Sequence, residues 1–340
     1  MFFIKFSRLF FAVLFFLAGS LCFASGKKEA ERVFPPLEPE TVKSYDVGSY
    51  IPEPRAVESY AVDTPAMADF PVPSRGELVM GAFSKAYPTK VSPVQFRNGD
   101  WAVQIYGKWF YYAEGRLLPE ELLDKKEQYS LQNLYQYAPE LPSWEKPSAE
   151  TVERLRRMAE NRRTSTVKRS PHIYNTLWRS ETRDDAWNRV KQIRFLGQNL
   201  LVHYSILEVL CLIEEKILDE STTNPDIKQW INGLGTVEGW NWRDIADSSN
   251  RSFHSYGVAI DLLPKSLGGL ETYWLWTAKH TPDWWNVPYS RRYHPPHKVI
   301  KIFESYGFLW GGKWVIYDTM HFEYRPEIFI FNNLPLEQVR

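Results

Sequence analysis

The chain has 340 residues, 44% of them hydrophobic and 16% aromatic, enough apolar material for one sizeable core and a smaller second unit. Its 41 basic and 41 acidic side chains cancel. That balance excludes a global field favouring nucleic acid or an anionic membrane, so a charged partner has to be recognised locally.

Residues 1–24 read as a secretory signal peptide. Lys5 and Arg8 precede an apolar run from Leu9 to Leu17, and small residues lead into the polar "GKKEA". Cleavage after Ala24 is the expected processing. Lipid anchoring at Cys22 is the rival, disfavoured by the bulk of Leu21. The run is short against the roughly 20 residues of a spanning helix, so no transmembrane helix is expected in the mature protein, which is placed in the periplasm or cell envelope. Only Cys211 then remains, in the apolar run "SILEVLCLIEEKI", where a small buried thiol is the expected role. A disulfide framework and a thiolate metal site are both excluded.

Residues 25–93 contain ten prolines and no sustained periodicity, and are expected to form an extended linker or surface-wrapping segment. Residues 94–165 follow as a small β meander plus a connecting helix. "VQFRNGDWAVQIYGKWFYYAEGRLLP" predicts about three strands with turns at Asn98-Gly99, Gly107-Lys108 and Glu114-Gly115. "SAETVERLRRMAENRR" predicts a helix capped by Ser148, solvated and connecting in role.

The larger unit is placed at residues 168–332. "QIRFLGQNLLVH" reads as a hairpin about Gly197-Gln198, and Ile206, Leu207, Leu210, Ile213 and Ile217 fall on helical spacing. Strands are expected at "WNWRDI", "VAIDLL", "WVIYD" and "HFEY", with a helix at "PPHKVIKIFESYG". Irregular mixing of strands and helices predicts an α+β domain: a small antiparallel sheet with flanking helices.

"RSFHSYGVAIDLLP" sets His254 and Asp261 seven positions apart about Gly257, an imidazole and a carboxylate that could ligate a metal. Alone the pair is weak, since a surface His and a capping Asp would look the same. "YDTMHFEY" adds His321 as a further donor, with Asp318 three residues before it as a base over a metal-activated water. Glu323 shares a strand face with His321 and is placed to orient it. His294 and His297 in "RRYHPPHK" read as a surface turn opening a helix, and His203 and His280 as helix-end residues. The Trp-rich "YWLWTAKHTPDWW" reads as core and cleft wall.

The segments "NWRDIADSSNRSFHSYGVAIDL" and "SYGFLWGGKWVIYDTMHFEY" resemble the M15 peptidases, zinc D-alanyl-D-alanine carboxypeptidases and L-alanyl-D-glutamate endopeptidases of the VanY and phage-endolysin type. Ser252, His254, Asp261, Trp310 to Gly312, Asp318 and His321 to Glu323 meet the family pattern in order. The resemblance spans roughly residues 168 to 330 and leaves the linker and meander outside.

It implies a Hedgehog/DD-peptidase-like zinc peptidase fold, Zn2+ held by His254, Asp261 and His321, Asp318 as general base, and Arg243 as the substrate-binding arginine on the strand before the first ligand. Arg251 is the lesser candidate for that role. The implied partners are peptidoglycan stem peptides. Carboxypeptidase and endopeptidase specificity both stay open, as does oligomeric state. A non-catalytic envelope-binding or structural protein that keeps the fold is the alternative.

Overall fold

The computed structural model describes residues 73–337 apart from Asn133, Thr166 and Asp247. The expected signal peptide and most of the proline-rich segment lie outside the described residues. The last part of that segment is helical where an extended chain was expected. α1 (Arg75–Ala86) starts where Ser74 accepts a hydrogen bond from the Glu77 backbone N–H, and Val79, Met80, Ala82 and Phe83 make its buried face. Its first proline-free turns were obscured by the prolines on either side.

The meander has four strands in sequential order: β1 (Gln95–Arg97), β2 (Asp100–Ile105), β3 (Lys108–Tyr111) and β4 (Leu118–Pro119). The first turn is at Asn98-Gly99 as expected, and the second is at Tyr106-Gly107, one residue earlier than the sequence indicated. Both residues of each turn have positive φ, the two-residue geometry that matches strand twist. β5 (Tyr129–Ser130) leads towards α2 (Ala149–Thr164), capped by Ser148 as predicted. α2 is more than a solvated connector. Leu155 is buried in an aromatic cluster of Trp274, Trp284, Trp285 and Tyr317, so the helix covers the side of the site where Asp318 follows Tyr317.

β6 (Lys168–Arg169) pairs in parallel with β5, and α3 (His172–Trp178) and α4 (Arg183–Trp187) follow. The expected hairpin is β7 (Val190–Phe195) and β8 (Gln198–His203). α5 (Leu207–Thr223) buries Val209, Leu210, Ile213 and Ile217 beside Ile206, whereas Cys211 is exposed, correcting the buried thiol. The helical period carries it off the apolar stripe.

α6 (Pro225–Gly233), β9 (Leu234–Glu238), β10 (Ala259–Pro264), α7 (Trp274–Thr277), α8 (His297–Ser305), β11 (Phe308–Trp310), β12 (His321–Tyr324) and α9 (Pro326–Phe331) complete the chain. The second sheet runs β11-β12-β10-β9, antiparallel throughout, with helices flanking it. This is the mixed α+β arrangement with small antiparallel sheets that the sequence predicted.

Two expected strands are absent. "WNWRDI" is a loop because its backbone bonds go sideways to a turn: Asn241 N–H donates to His254 O (3.1 Å) and Arg243 N–H to Ser255 Oγ (2.9 Å). "WVIYD" closes on Gly311, whose carbonyl accepts from Trp314 N–H (3.2 Å) and Asp318 N–H (3.0 Å). Their aromatic content reflects packing, not strand pairing.

His203 sits buried between α3 and the start of α5. Its Nε2 lies 3.0 Å from Trp178 O, so it donates there, and its Nδ1 accepts from Ser205 N–H (3.1 Å). A second proton would displace that acceptor. Burial, then the Lys90 charge, lowers its pKa to about 4. The unfolded value is about 6.5, so between those values the unfolded chain binds more protons, and this contribution to stability is lost as pH falls from 6.5 towards 4. The expected cost at pH 5 is about 2 kcal/mol. Urea midpoints at pH 7 and pH 5 should therefore differ less for His203→Gln than for the wild type; an identical pH dependence would refute the assignment.

Candidate metal centre

Three elements bring the donors together. Ser252 caps a short 3-10 turn, Phe253–Tyr256, by accepting from His254 N–H (3.3 Å), and the turn ends at Gly257 with φ 72°. A Cβ at Gly257 would stand 2.8 Å from His203 N, so both the turn and the neighbouring strand require glycine. β10 carries Asp261 between buried Ile260 and Leu262, whose side chains take the other face. On β12, His321 is the direct antiparallel partner of Asp261, which puts the two side chains next to each other across the strands.

The resulting triangle is tight. His254 Nε2 is 3.2 Å from Asp261 Oδ1 and 3.2 Å from His321 Nδ1, and His321 Nδ1 is 2.9 Å from Asp261 Oδ1. All three residues are buried, and among the described residues this is the group of His, Cys, Asp or Glu whose donor atoms converge in this way. The outer nitrogens are already committed. His254 Nδ1 lies 2.6 Å from Gly239 O, and His321 Nε2 lies 3.2 Å from Glu323 Oε2. With protons on those outer positions, two imidazole lone pairs and a carboxylate oxygen face one another, an arrangement that needs a cation or extra protons between them. Tetrahedral coordination at the usual zinc distances puts neighbouring donors about 3.3 Å apart, so the observed spacing fits a zinc ion.

Electrostatics show how hard the group pulls on a positive charge. Burial pushes the His321 imidazole down, but the Asp261 and Glu323 hydrogen bonds outweigh it and raise its pKa to about 10. Burial likewise raises the Asp261 carboxyl, and His254 followed by His321 overcomes that, holding it far below the usual carboxylate range. Without a metal the pocket keeps a proton; a metal ion has to displace it.

Asp318 is half-buried, and its Oδ1 is shielded from solvent without a hydrogen-bond partner within the protein. Its pKa is raised to about 7, first by desolvation, with Asp261 and Glu323 adding to the rise and His321 and Arg243 opposing it. A carboxylate that exchanges a proton near neutrality is suited to general acid and base work. Its backbone is fixed by the bond from Asp318 N–H to Gly311 O and by bridging to Tyr273. A Cβ at Gly311 would stand 2.5 Å from Asp318 O. Gly311→Ala is therefore expected to displace Asp318 and lower peptidase turnover at least tenfold without changing the metal content, read from metal analysis and rate measured on one preparation.

Arg243 is exposed, and its guanidinium acts on Asp318 while its backbone carbonyl is held by Ser252 N–H and Ser255 Oγ. Arg251, the lesser candidate, is occupied elsewhere: it donates to Asn175 Oδ1 (2.8 Å) and Ser180 O (2.9 Å) and stacks on Trp242. His294 is half-buried against Pro295 O, and exposed His297 pairs with Glu140, so these two histidines build no second centre.

Behind the triangle lies a network that sequence reading missed beyond Glu323. Glu323 Oε1 accepts from Arg325 (3.1 Å), whose Nε donates to Glu327 and whose Nη2 donates to Tyr174 Oη (2.6 Å). Tyr174 and Tyr87 both donate to Glu327, at 2.8 and 2.7 Å. Arg325 and Glu327 are buried. The signal was legible as alternating charges in "HFEYRPE", three ionic residues at every second position inside an apolar stretch.

Residues 246–324 match the family model for D-alanyl-D-alanine carboxypeptidase, an M15 peptidase model, and the match holds the whole donor triangle and Asp318. It supports the M15 family and a peptidase activity. Residues 79–132, from α1 through the meander to just past β5, match the model of a domain of unknown function. No curated protein and no solved structure matches the chain. Among the described residues no helix is long and apolar enough to cross a membrane.

Proposed function

We propose that the protein is a zinc metallopeptidase of VanY type, with a Hedgehog/DD-peptidase-like fold, hydrolysing peptidoglycan stem peptides. The observation that carries this reading is the buried triangle of His254 Nε2, Asp261 Oδ1 and His321 Nδ1 at zinc-donor spacing, with Asp318, whose shielded Oδ1 has no hydrogen-bond partner, three residues before His321. When bound, zinc in such a donor set supplies Lewis acidity towards a carbonyl and makes water easier to deprotonate.

The side chains do the rest. Asp318 accepts the proton of the attacking water and returns it to the departing amine, which its near-neutral pKa permits. Arg243, exposed at the edge of the site, opposes the negative charge that develops on the carbonyl oxygen and orients the substrate. Glu323 holds His321 in the tautomer that turns Nδ1 inward. The apolar run near the N-terminus supports export, and so a site of action in the periplasm or cell envelope.

Zinc analysis of the purified protein, with mass spectrometry of products from a muropeptide tetrapeptide and pentapeptide, tests the reading. Stoichiometric zinc and loss of one D-Ala from the pentapeptide is the carboxypeptidase outcome, and cleavage within the stem the endopeptidase one. Protein that binds no zinc and cleaves neither peptide with zinc added sinks the proposal.

A further inference from the structure

A pocket of about 250 Å³ opens between β6, α3 and the turn that carries His254. Phe253, next in the chain to His254, forms one wall, and Arg325, which holds the Glu323 carboxylate behind His321, forms another. Tyr135 contributes a third side, and its hydroxyl accepts from Trp314, whose ring stands 5.6 Å from that of His321.

The charge inside the pocket is one-sided. Three arginines, Arg169, Arg251 and Arg325, line it, and no Asp or Glu is among its lining residues. Arg325 is neutralised by Glu323 and Glu327. Among the described residues Arg251 is hydrogen-bonded to neutral groups: Asn175, the carbonyls of Ser180 and Glu181, and the Tyr256 hydroxyl. Arg169 is half-buried on β6, its backbone N–H tied to Asn250 Oδ1 (2.8 Å), and among the described residues its guanidinium makes no hydrogen bond or ion pair. Neither Arg169 nor Arg251 is held in an ion pair, although the Arg169 charge also acts on Glu323; set among the rings of Tyr174, Phe253 and Tyr256, the two describe a receptor for an anionic group on a partly apolar body.

We propose that this pocket is a subsite for a carboxylate of the peptide substrate, with Arg169 as its principal anchor. The inference rests on the peptidase reading for the identity of the ligand, because a pocket walled by a neighbour of His254 lies within reach of a short peptide whose scissile bond is at the metal centre. A guanidinium fork suits a carboxylate, and the half-buried setting makes the bond stronger than an exposed pair.

The test is titration calorimetry on the full chain carrying Asp318→Asn, which prevents turnover. The probes are the peptide L-Ala-γ-D-Glu-L-Lys-D-Ala, the same peptide with both carboxylates amidated, and inorganic phosphate. With Arg169 present, the acid peptide is expected to bind roughly 10-fold more tightly than the amide, in keeping with one charge-assisted hydrogen-bonded pair. With Arg169→Gln added the two peptides should bind alike, and Arg169→Lys should restore part of the difference. Unchanged melting temperatures would show that the variants fold. Acid and amide binding equally, no binding of the acid peptide at millimolar concentration, or phosphate binding to Arg169 without any acid preference among the peptides would each overturn the proposal, the last by making the pocket a small-anion site. Hydrolysis by the wild type is read separately, so loss of the peptidase reading with the acid preference intact is distinguishable from loss of the subsite.

Discussion

Asp318→Asn is expected to lower hydrolysis of a muropeptide substrate about 10²–10⁴-fold while zinc content stays at the wild-type level. The substitution keeps the shape of the side chain and removes its ability to take a proton. It touches no donor of the triangle, since His254, Asp261 and His321 meet one another without it. Metal analysis and initial rates on the same preparation make the check. Loss of zinc together with activity would assign Asp318 to metal binding, and unchanged rates would remove it from the chemistry. Losing a metal donor behaves differently: His321→Ala should lose both zinc and turnover, because it removes a side of the triangle and the partner that Glu323 orients.

Arg325→Met is expected to cost about 3–5 kcal/mol of stability, on the order of 10 °C in Tm. Methionine replaces the stem of the side chain but leaves the Glu323 and Glu327 carboxylates buried without their shared cation. The penalty comes from stranded charge, so adding Glu327→Gln should recover part of it, whereas a pure packing defect would be worsened or unmoved by the second change. Thermal melts of the wild type, single and double variants decide between them. An Arg325→Met melt within 2 °C of wild type, by that order-of-magnitude reasoning, would show that the network contributes little.

What the sequence revealed and what it concealed divide along physical lines. His254, Asp261 and His321 were readable because a turn glycine and a strand alternation fix their directions locally, and the antiparallel register of β10 with β12 then does what the pattern implied. Elements with local signals came through as well: the cap at Ser148, the Asn98-Gly99 turn and the Gly197 hairpin. "WNWRDI" and "WVIYD" misled because aromatic content favours a strand only where a partner strand exists, and their backbone bonds go instead to the 252–256 turn and to Gly311. The role of α2 was overshadowed by its charged residues, although Val152, Leu155, Met158 and Ala159 fall on helical spacing and pack on the aromatic cluster. Arg169 and Tyr87 were beyond reach for a different reason. Nothing near either residue signals a meeting with partners far along the chain.

Tyr87 carries the largest consequence for anyone handling this protein. Its hydroxyl closes the last bond of a chain that runs through Glu327, Arg325 and Glu323 to His321, and its own bond to Glu327 spans 240 positions of sequence. The region that matches the peptidase family is therefore not a cassette. A fusion or transplant that kept residues 168–337 and exchanged everything ahead of them would deliver His254, Asp261, His321 and Asp318, yet leave a buried Glu327 oxygen with no donor and the tyrosines of residues 135 and 137 missing from Trp314 and Glu304. The front of the chain travels with the chemistry as its buttress.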